Sequence, residues 1–359
     1  MRVPPRVVCG AALLGALALA SPANAAQWTV HRGQSIQRAI DQAQPGDTIT
    51  VDAGVYRESL FIQKDDLTIR GAGAGWDGTV LRQPATPPPG NLCDTGGSMV
   101  GFCVLGLVDA SFNVLDQTHG THISGFVVAG FPSEGVFEYG ADASVYRNNR
   151  FQHNGGYGLF SLTSTGVTIA NNYASGSGEA GIYVGDSPSS GARVFSNEVV
   201  NNAQGFLFRD SANGAAWDND VHGNCAGALV LDTAAPTQAS GWVLRDNRVW
   251  QNNKACPGND EAPPLSGIGI AIVGAQSTTV KGNTIFGHHP TGPTVASAGI
   301  GVLSGALAGG SNPDGASIVD NVLRSNKPQA LLWDGSGAGV TFSGNVCRTS
   351  TPAGLCAPR

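Results

Sequence analysis

Val145-Tyr-Arg-Asn-Asn-Arg-Phe151 returns with changed side chains as Thr168-Ile-Ala-Asn-Asn-Tyr-Ala174, Arg193-Val-Phe-Ser-Asn-Glu-Val199 and Ala215-Ala-Trp-Asp-Asn-Asp-Val221. Four more copies surround Asn247, Asn283, Asn321 and Asn345. From Asn149 onward, successive asparagines are separated by 23, 25, 22, 28, 36, 38 and 24 residues. Most are followed five places later by a second one: Asn154, Asn202, Asn224, Asn252 and Asn326. A β-prone run precedes each pair and no helical period crosses it. A repeat of this length, built of strands and turns, indicates a solenoid.

In a parallel β-helix each coil stacks on the last at about 4.8 Å, so equivalent residues form columns. An asparagine at a bend tolerates left-handed backbone geometry, and its amide both donates to and accepts from copies above and below. Asparagine is also an ordinary turn residue. Eight in phase favour a ladder.

Arg2 and Arg6, the apolar run Val7 to Ala20 and the small residues Ala23-Asn24-Ala25 read as a secretory signal over 1–25, leaving 26–359 as the mature chain. The apolar run is short for a membrane span. The full chain carries 20 basic and 26 acidic residues; without Arg2 and Arg6 the balance is 18 against 26, about −8. That argues against nucleic acid and anionic membranes as partners, and makes a polyuronate harder to hold unless a cation helps. Six of the seven cysteines follow the signal, an even number suited to an oxidising compartment. Proximity pairs Cys93 with Cys103, Cys225 with Cys256 and Cys347 with Cys356. A zinc site would want closer pairs and histidine at ligand spacing.

Near the mature N-terminus, Ser35-Ile-Gln-Arg-Ala-Ile-Asp-Gln-Ala43 places Ile36, Ala39, Ile40 and Ala43 on one helical face, ended by Pro45-Gly46. A short helix at about 35–44 would cover the core of the first coil. Strands follow in Asp47-Thr-Ile-Thr-Val51, Gly54-Val-Tyr56, Ser59-Leu-Phe-Ile62 and Asp66-Leu-Thr-Ile-Arg-Gly71. The run from Ile36 to Gly71 resembles the start of secreted bacterial right-handed parallel β-helix proteins of the pectin-lyase-like superfamily. There a cap helix precedes G-D-T-I-x-V-x-x-G-x-Y and then L-T-I-x-G. The later coils resemble that superfamily's generic repeat. The resemblance implies an all-β, single-stranded right-handed parallel β-helix with an N-terminal amphipathic cap. It is weak for function, because the fold hosts lyases, hydrolases, epimerases and binding proteins.

Proline-rich or lengthened stretches at about 83–98, 254–266 and 287–298 read as surface insertions, not domain boundaries. The tail through Cys356 is the candidate cover for the last coil.

A strand beginning at a glycine or its equivalent follows each second turn, as in Gly158-Leu-Phe-Ser-Leu162, Gly181-Ile-Tyr-Val-Gly-Asp186, Gly205-Phe-Leu-Phe-Arg-Asp210, Gly227-Ala-Leu-Val-Leu-Asp232 and Gln329-Ala-Leu-Leu-Trp-Asp334. The resemblance implies that this sheet and the turn before it form any substrate groove. With Ile182, Val184, Phe206, Phe208, Ala228 and Val230 inward, alternation puts Tyr183, Leu207, Arg209, Leu229, Leu231 and Trp333 outward. Such an apolar face is covered by an insertion, or binds a ligand with apolar faces through Tyr183, Leu207, Leu229 and Trp333, or meets another protein. Asp186, Asp210 and Asp232 fall at one strand offset in consecutive coils. Each caps its own turn, or the row binds calcium. Arg209, His222 and His153 are the candidate catalytic residues, Arg209 or a histidine serving as base in a β-elimination; His288 and His289 are further turn histidines. Glu138 and Ser161 are polar at strand positions where other coils are apolar, from a buried pair or a local register change.

No acidic-pair motif of the polygalacturonase kind, no Asp-Pro-His-Asp and no Asn-Gly-Lys-Ser-Glu occurs, and neither does a nucleophile elbow, P-loop or dinucleotide fingerprint. The leading expectation is a secreted, monomeric β-helix that acts on or binds a polysaccharide, without a recognisable catalytic motif. A non-catalytic surface or matrix protein and a cyclase that folds a polyene in an apolar groove are the alternatives.

Overall fold

The repeated asparagines hydrogen-bond to one another along the stack. In the computed structural model, which describes residues 25–94, 97–234, 237–259 and 262–357, the Asn149 amide donates to Asn172 Oδ1 at 3.3 Å and Asn172 to Asn197 at 3.1 Å. The file continues through Asn219, Asn247, Asn283 and Asn321 to Asn345, with amide contacts of 2.8–3.0 Å. Each Oδ1 also accepts the backbone N–H of the asparagine one coil earlier, so both donors of one residue converge on the next. The bend geometry differs from expectation in one respect. The left-handed residue is the one before the ladder asparagine: Asn148, Asn171, Ser196, Asp218, Asp246 and Asp320 have φ of 53–56°, and Gly282 and Gly344 take the remaining places. The ladder residue itself turns its amide inward and is buried.

A second file stands one bend further on, with Asn202 donating to Asn224 at 3.2 Å and Asn224 to Asn252 at 2.8 Å. Ser177 and His288 interrupt it, each five places after a first-file asparagine. The signal segment expected at 1–25 lies, but for Ala25, outside the described residues.

The two files separate three parallel sheets of twelve, ten and eleven strands. In one coil the chain runs through Val145–Arg147 of the first sheet, Arg150–Gln152 of the second and Leu159–Leu162 of the third. The helix, Ile36–Gln42, buries Ile36, Ala39 and Ile40 against the first coil. Its free N–H groups are taken by Ser35 Oγ and by Glu58, which accepts from Ile36 and Gln37 at 2.9 and 3.0 Å. Lys64 donates to the carbonyls of Ile40, Asp41 and Ala43 at 2.6–2.8 Å. Both ends of the cap are thus satisfied by the coil it covers, as helix termini require. At the other end Ser350–Thr351 pairs with Leu331–Leu332, and Leu355 and Cys356 pack on the core.

Ile182, Val184, Phe206, Phe208, Ala228 and Val230 all face inward. Trp242 stacks on Phe208 at 3.8 Å within the core, and Gly214 makes room for it, since a Cβ there would lie 2.3 Å from the indole ring. One inward column reads Ile62, Val104, Glu138, Ser161, Val184, Phe208, Val230, Ile272, Val302 and Trp333. Glu138 and Ser161 are therefore a buried pair in regular register: Ser161 and Tyr146 donate to the two carboxyl oxygens at 2.7 and 2.6 Å.

Cys93, in the 83–98 stretch, is bonded to Cys103, and Cys256, in the 254–266 stretch, to Cys225; Cys347–Cys356 ties down the tail. A further excursion went unanticipated, a hairpin of Leu107–Val108 and Val114–Asp116. Among the described residues no helix is long and apolar enough to cross a membrane.

Candidate functional site on the third sheet

Strand alternation gives the third sheet one inward and one outward set, and the parallel ladder turns each into columns. The central outward column is Phe137, Phe160, Tyr183, Leu207, Leu229, Ala271, Gly301 and Leu332. Phe137, Phe160 and Tyr183 stack ring on ring at 5.6 and 4.5 Å, with Tyr157 leaning against the last two. Phe137, Tyr157 and Phe160 were not singled out from the sequence. Their signal is the offset: Phe137 and Phe160 stand two places after Gly135 and Gly158, as Tyr183 does after Gly181.

Loops cover much of this face. Leu265, from the 254–266 insertion, packs with Leu207, Leu229 and Ala271. Cys93 and Val108, from the 83–98 insertion and the hairpin, pack together with Phe137 and Tyr139 against Val100, Cys103 and Leu105. Tyr183 is only 1% exposed, with Phe160 on one face of its ring and Leu207 next in the column. A sugar ring has no open face of Tyr183 to stack on. Trp333 is not on this surface at all. It pairs with Val302 in the inward column and packs toward Phe342, so Leu332 holds the outward place.

Arg209 stands at the accessible edge, its side chain 40% exposed, and is the one basic residue in any described strand of the third sheet. Its Nε lies 3.2 Å from Asp210 Oδ2. Burial works against its charge, but Tyr183, Asp186 and Asp210 outweigh that and hold its pKa above the usual value. Burial drives the Tyr183 hydroxyl well above its ordinary pKa, with Arg209 opposing, so the phenol stays protonated. Asp186 is pushed up by burial, with Arg209 again opposing, and its Oδ1 has no hydrogen-bond partner. The arrangement can meet a carboxylate with a guanidinium and donate a proton. The Asp186 carboxylate, with its unpartnered Oδ1, is the group beside them that can accept one.

The other acidic positions have partners of their own. Asp210 accepts from Thr233 N and Oγ1 at 2.7 and 2.5 Å, and Asp232 from Ser311 N and Ala239 N at 2.7 and 3.2 Å. Asp186, Asp210 and Asp232 follow one another coil by coil, and among the described residues no three His, Cys, Asp or Glu side chains gather at metal-binding distance. The histidines do not join Arg209. His222 lies on the second sheet, stacked on Trp250 at 4.2 Å, and His153 is the left-handed residue of a bend, φ 54°. His288 is fully buried in the second asparagine file. Its Nδ1 accepts from Asn252 N at 3.2 Å and Nε2 faces Val249 O at 3.3 Å, and burial lowers its pKa to about 4.

Solved structures share this fold. The alginate lyase from Paenibacillus sp. str. FPU-7 aligns at a TM-score of 0.58 with 15% identity, covering 87% of this chain and 99% of that one. The catalytic domain of an α-1,3-glucanase in complex with nigerose gives 0.51 at 14% identity, covering 89% and 68%. A double mutant of the periplasmic alginate epimerase AlgG gives 0.50 at 13%, covering 89% and 84%. No curated protein matches the chain in sequence. Residues 114–357 match the family described as "Right handed beta helix region". With the asparagine files, the three parallel sheets and this match together, the chain belongs to the right-handed β-helix family, in the fold of the pectin-lyase-like superfamily.

Proposed function

We propose that the protein is an exported glycan-binding β-helix whose third sheet receives a uronate-containing chain, with Arg209 meeting a sugar carboxylate. The observation that carries this is the placing of Arg209: a single guanidinium, part-exposed and backed by Asp210, at the margin of an otherwise apolar face. A planar fork on a carboxylate is charge-assisted and directional. Export is supported by the signal-like start and three disulfides. The alginate-acting proteins that share the fold suggest the substrate class.

Binding is the better reading than elimination. Arg209 is held charged, Tyr183 is held protonated, and His153 and His222 stand elsewhere, which leaves Asp186 as the base an elimination would need. Calorimetric titration with mannuronate, guluronate and galacturonate oligosaccharides, with and without calcium, tests the proposal. Arg209→Ala should weaken binding about tenfold or more, as loss of a charged hydrogen-bond partner does. Uronate binding unchanged by Arg209→Ala refutes it. Ultraviolet absorbance from unsaturated uronides would replace binding with a lyase reading.

A further inference from the structure

Among the described residues the twelve strands of the first sheet contain no aspartate or glutamate, although the chain as a whole carries a net charge of −6. They do contain Arg70, Arg147, Arg193, Arg245 and Lys281, all exposed. Arg147, Arg245 and Lys281 belong to one outward column that also includes Ala170, Phe195 and Trp217. The side chains are ordered by the rings between them. Phe195 and Trp217 stack at 4.6 Å, nearly parallel. Arg147 reaches past the small Ala170 to lie 5.5 Å from the Phe195 centroid, and Arg193 and Arg245 lie 6.0 and 5.1 Å from that of Trp217. Arg245 also pairs with Asp246 at 2.9 Å, whereas Arg147 and Arg193 have no carboxylate within ion-pair distance among the described residues.

We infer that this face is a second docking surface, separate from the third sheet, for a linear polyanionic glycan lying along the helix axis. The acceptor groups it fits are carboxylates or sulfates. Ring contact restrains the arginine stems before binding, so less side-chain freedom is lost when their N–H forks engage. Coils stack at about 4.8 Å and Arg147, Arg193 and Arg245 stand two coils apart, so the row offers a guanidinium about every 10 Å along the axis to an extended polyanion. Asp218, Asp246 and Asp320 border the row at the bend, and Asp246 is paired with Arg245. A single-stranded nucleic acid fits less well. Its bases need open aromatic faces, and here the ring faces are taken by each other and by arginines.

The test is affinity electrophoresis of the full mature chain in gels containing alginate, polygalacturonate, dextran sulfate or neutral dextran, with single-stranded DNA as a competitor. The face is disabled by Arg147→Ser/Arg193→Ser/Arg245→Ser; serine already occupies the column of Arg147 and Arg245 at Ser124 and Ser343. Retardation by the polyanions should weaken about threefold to a hundredfold, the product of three exposed charge pairs. Neutral dextran should retard neither form. Arg324→Ser/Lys327→Ser/Arg348→Ser removes equal charge from the C-terminal end and should change little. Arg209→Ala, which removes the uronate contact proposed on the third sheet, should leave retardation by dextran sulfate in place and lower only that by alginate and polygalacturonate, so the two proposals fail separately. Carboxylated against sulfated gels identify the anion. Should the triple variant melt early, Arg193→Ser alone gives the same comparison with a smaller effect. Wild-type retardation in the triple variant, equal loss in the C-terminal control, or displacement by DNA at lower concentration than by glycan overturns the inference.

Discussion

Replacing Asn219 by alanine removes one member from the middle of the first asparagine file. Its Oδ1 accepts from Asn197 N and Nδ2 at 2.9 and 3.0 Å, and its Nδ2 donates to Val194 O and Asn247 Oδ1 at 3.0 and 2.8 Å. The residue is 2% exposed, so water does not replace the lost partners. At about 1 kcal/mol net per hydrogen bond, four bonds come to about 4 kcal/mol, and the buried groups left without partners push the cost upward. Asn345→Ala at the end of the file is the internal comparison. It accepts twice from Asn321 and donates to Ile318 O, but has no further asparagine to hold, so its loss should be smaller. Urea unfolding followed by tryptophan fluorescence gives the stabilities. Hydrogen exchange of the coils on either side of residue 219 shows whether opening is local, as a nearest-neighbour solenoid implies. A loss below about 1 kcal/mol for Asn219→Ala, or a greater loss for Asn345→Ala, would refute the view that the file holds the bend.

His288→Asn restores the second file. The histidine's folded pKa is depressed to about 4 against 6.5, so its contribution is present above pH 6.5 and lost as pH falls toward 4. The variant should lack that acid sensitivity, worth about 3 kcal/mol, and melting curves that stay equally acid-sensitive would contradict the assignment. Glu138 runs the other way: burial raises its pKa, with Tyr146 and Ser161 opposing, so its contribution is present at acid pH and lost as pH rises through the folded value. Glu138→Val/Tyr146→Phe/Ser161→Val replaces the buried cluster with apolar groups and should gain about 1–4 kcal/mol at neutral pH; denaturant midpoints in acid and alkaline buffer check both slope and gain. Cys225→Ala/Cys256→Ala should cost about 2–4 kcal/mol and expose Leu207 and Leu229, read as increased binding of a hydrophobic dye.

Much of the architecture was legible because a solenoid writes the same local instruction many times. The phrase around Asn149 recurs in eight coils, the cap helix shows its own period, and the cysteines pair with neighbours one coil or one loop away. Alternation also placed Ile182, Val184, Phe206 and Phe208 inward. It failed at Trp333 for a simple reason. The residue equivalent to Gly227 is Ala330, not Gln329, and a one-residue slip moves a side chain to the opposite face. His288 was hidden by its identity, though its place five residues after Asn283 marks it as a ladder member.

Residue order alone therefore determined the coil, its bends, its inward set and its staples, since each depends on partners at a fixed offset along the repeat. The stacked structure decided which distant side chains share a surface. It put Tyr146 beside Glu138, laid Leu265 over the apolar third sheet, and gathered arginines on the first sheet of an acidic chain. Those contacts depend on loop paths and on how three faces divide the charge, and neither leaves a period in the sequence.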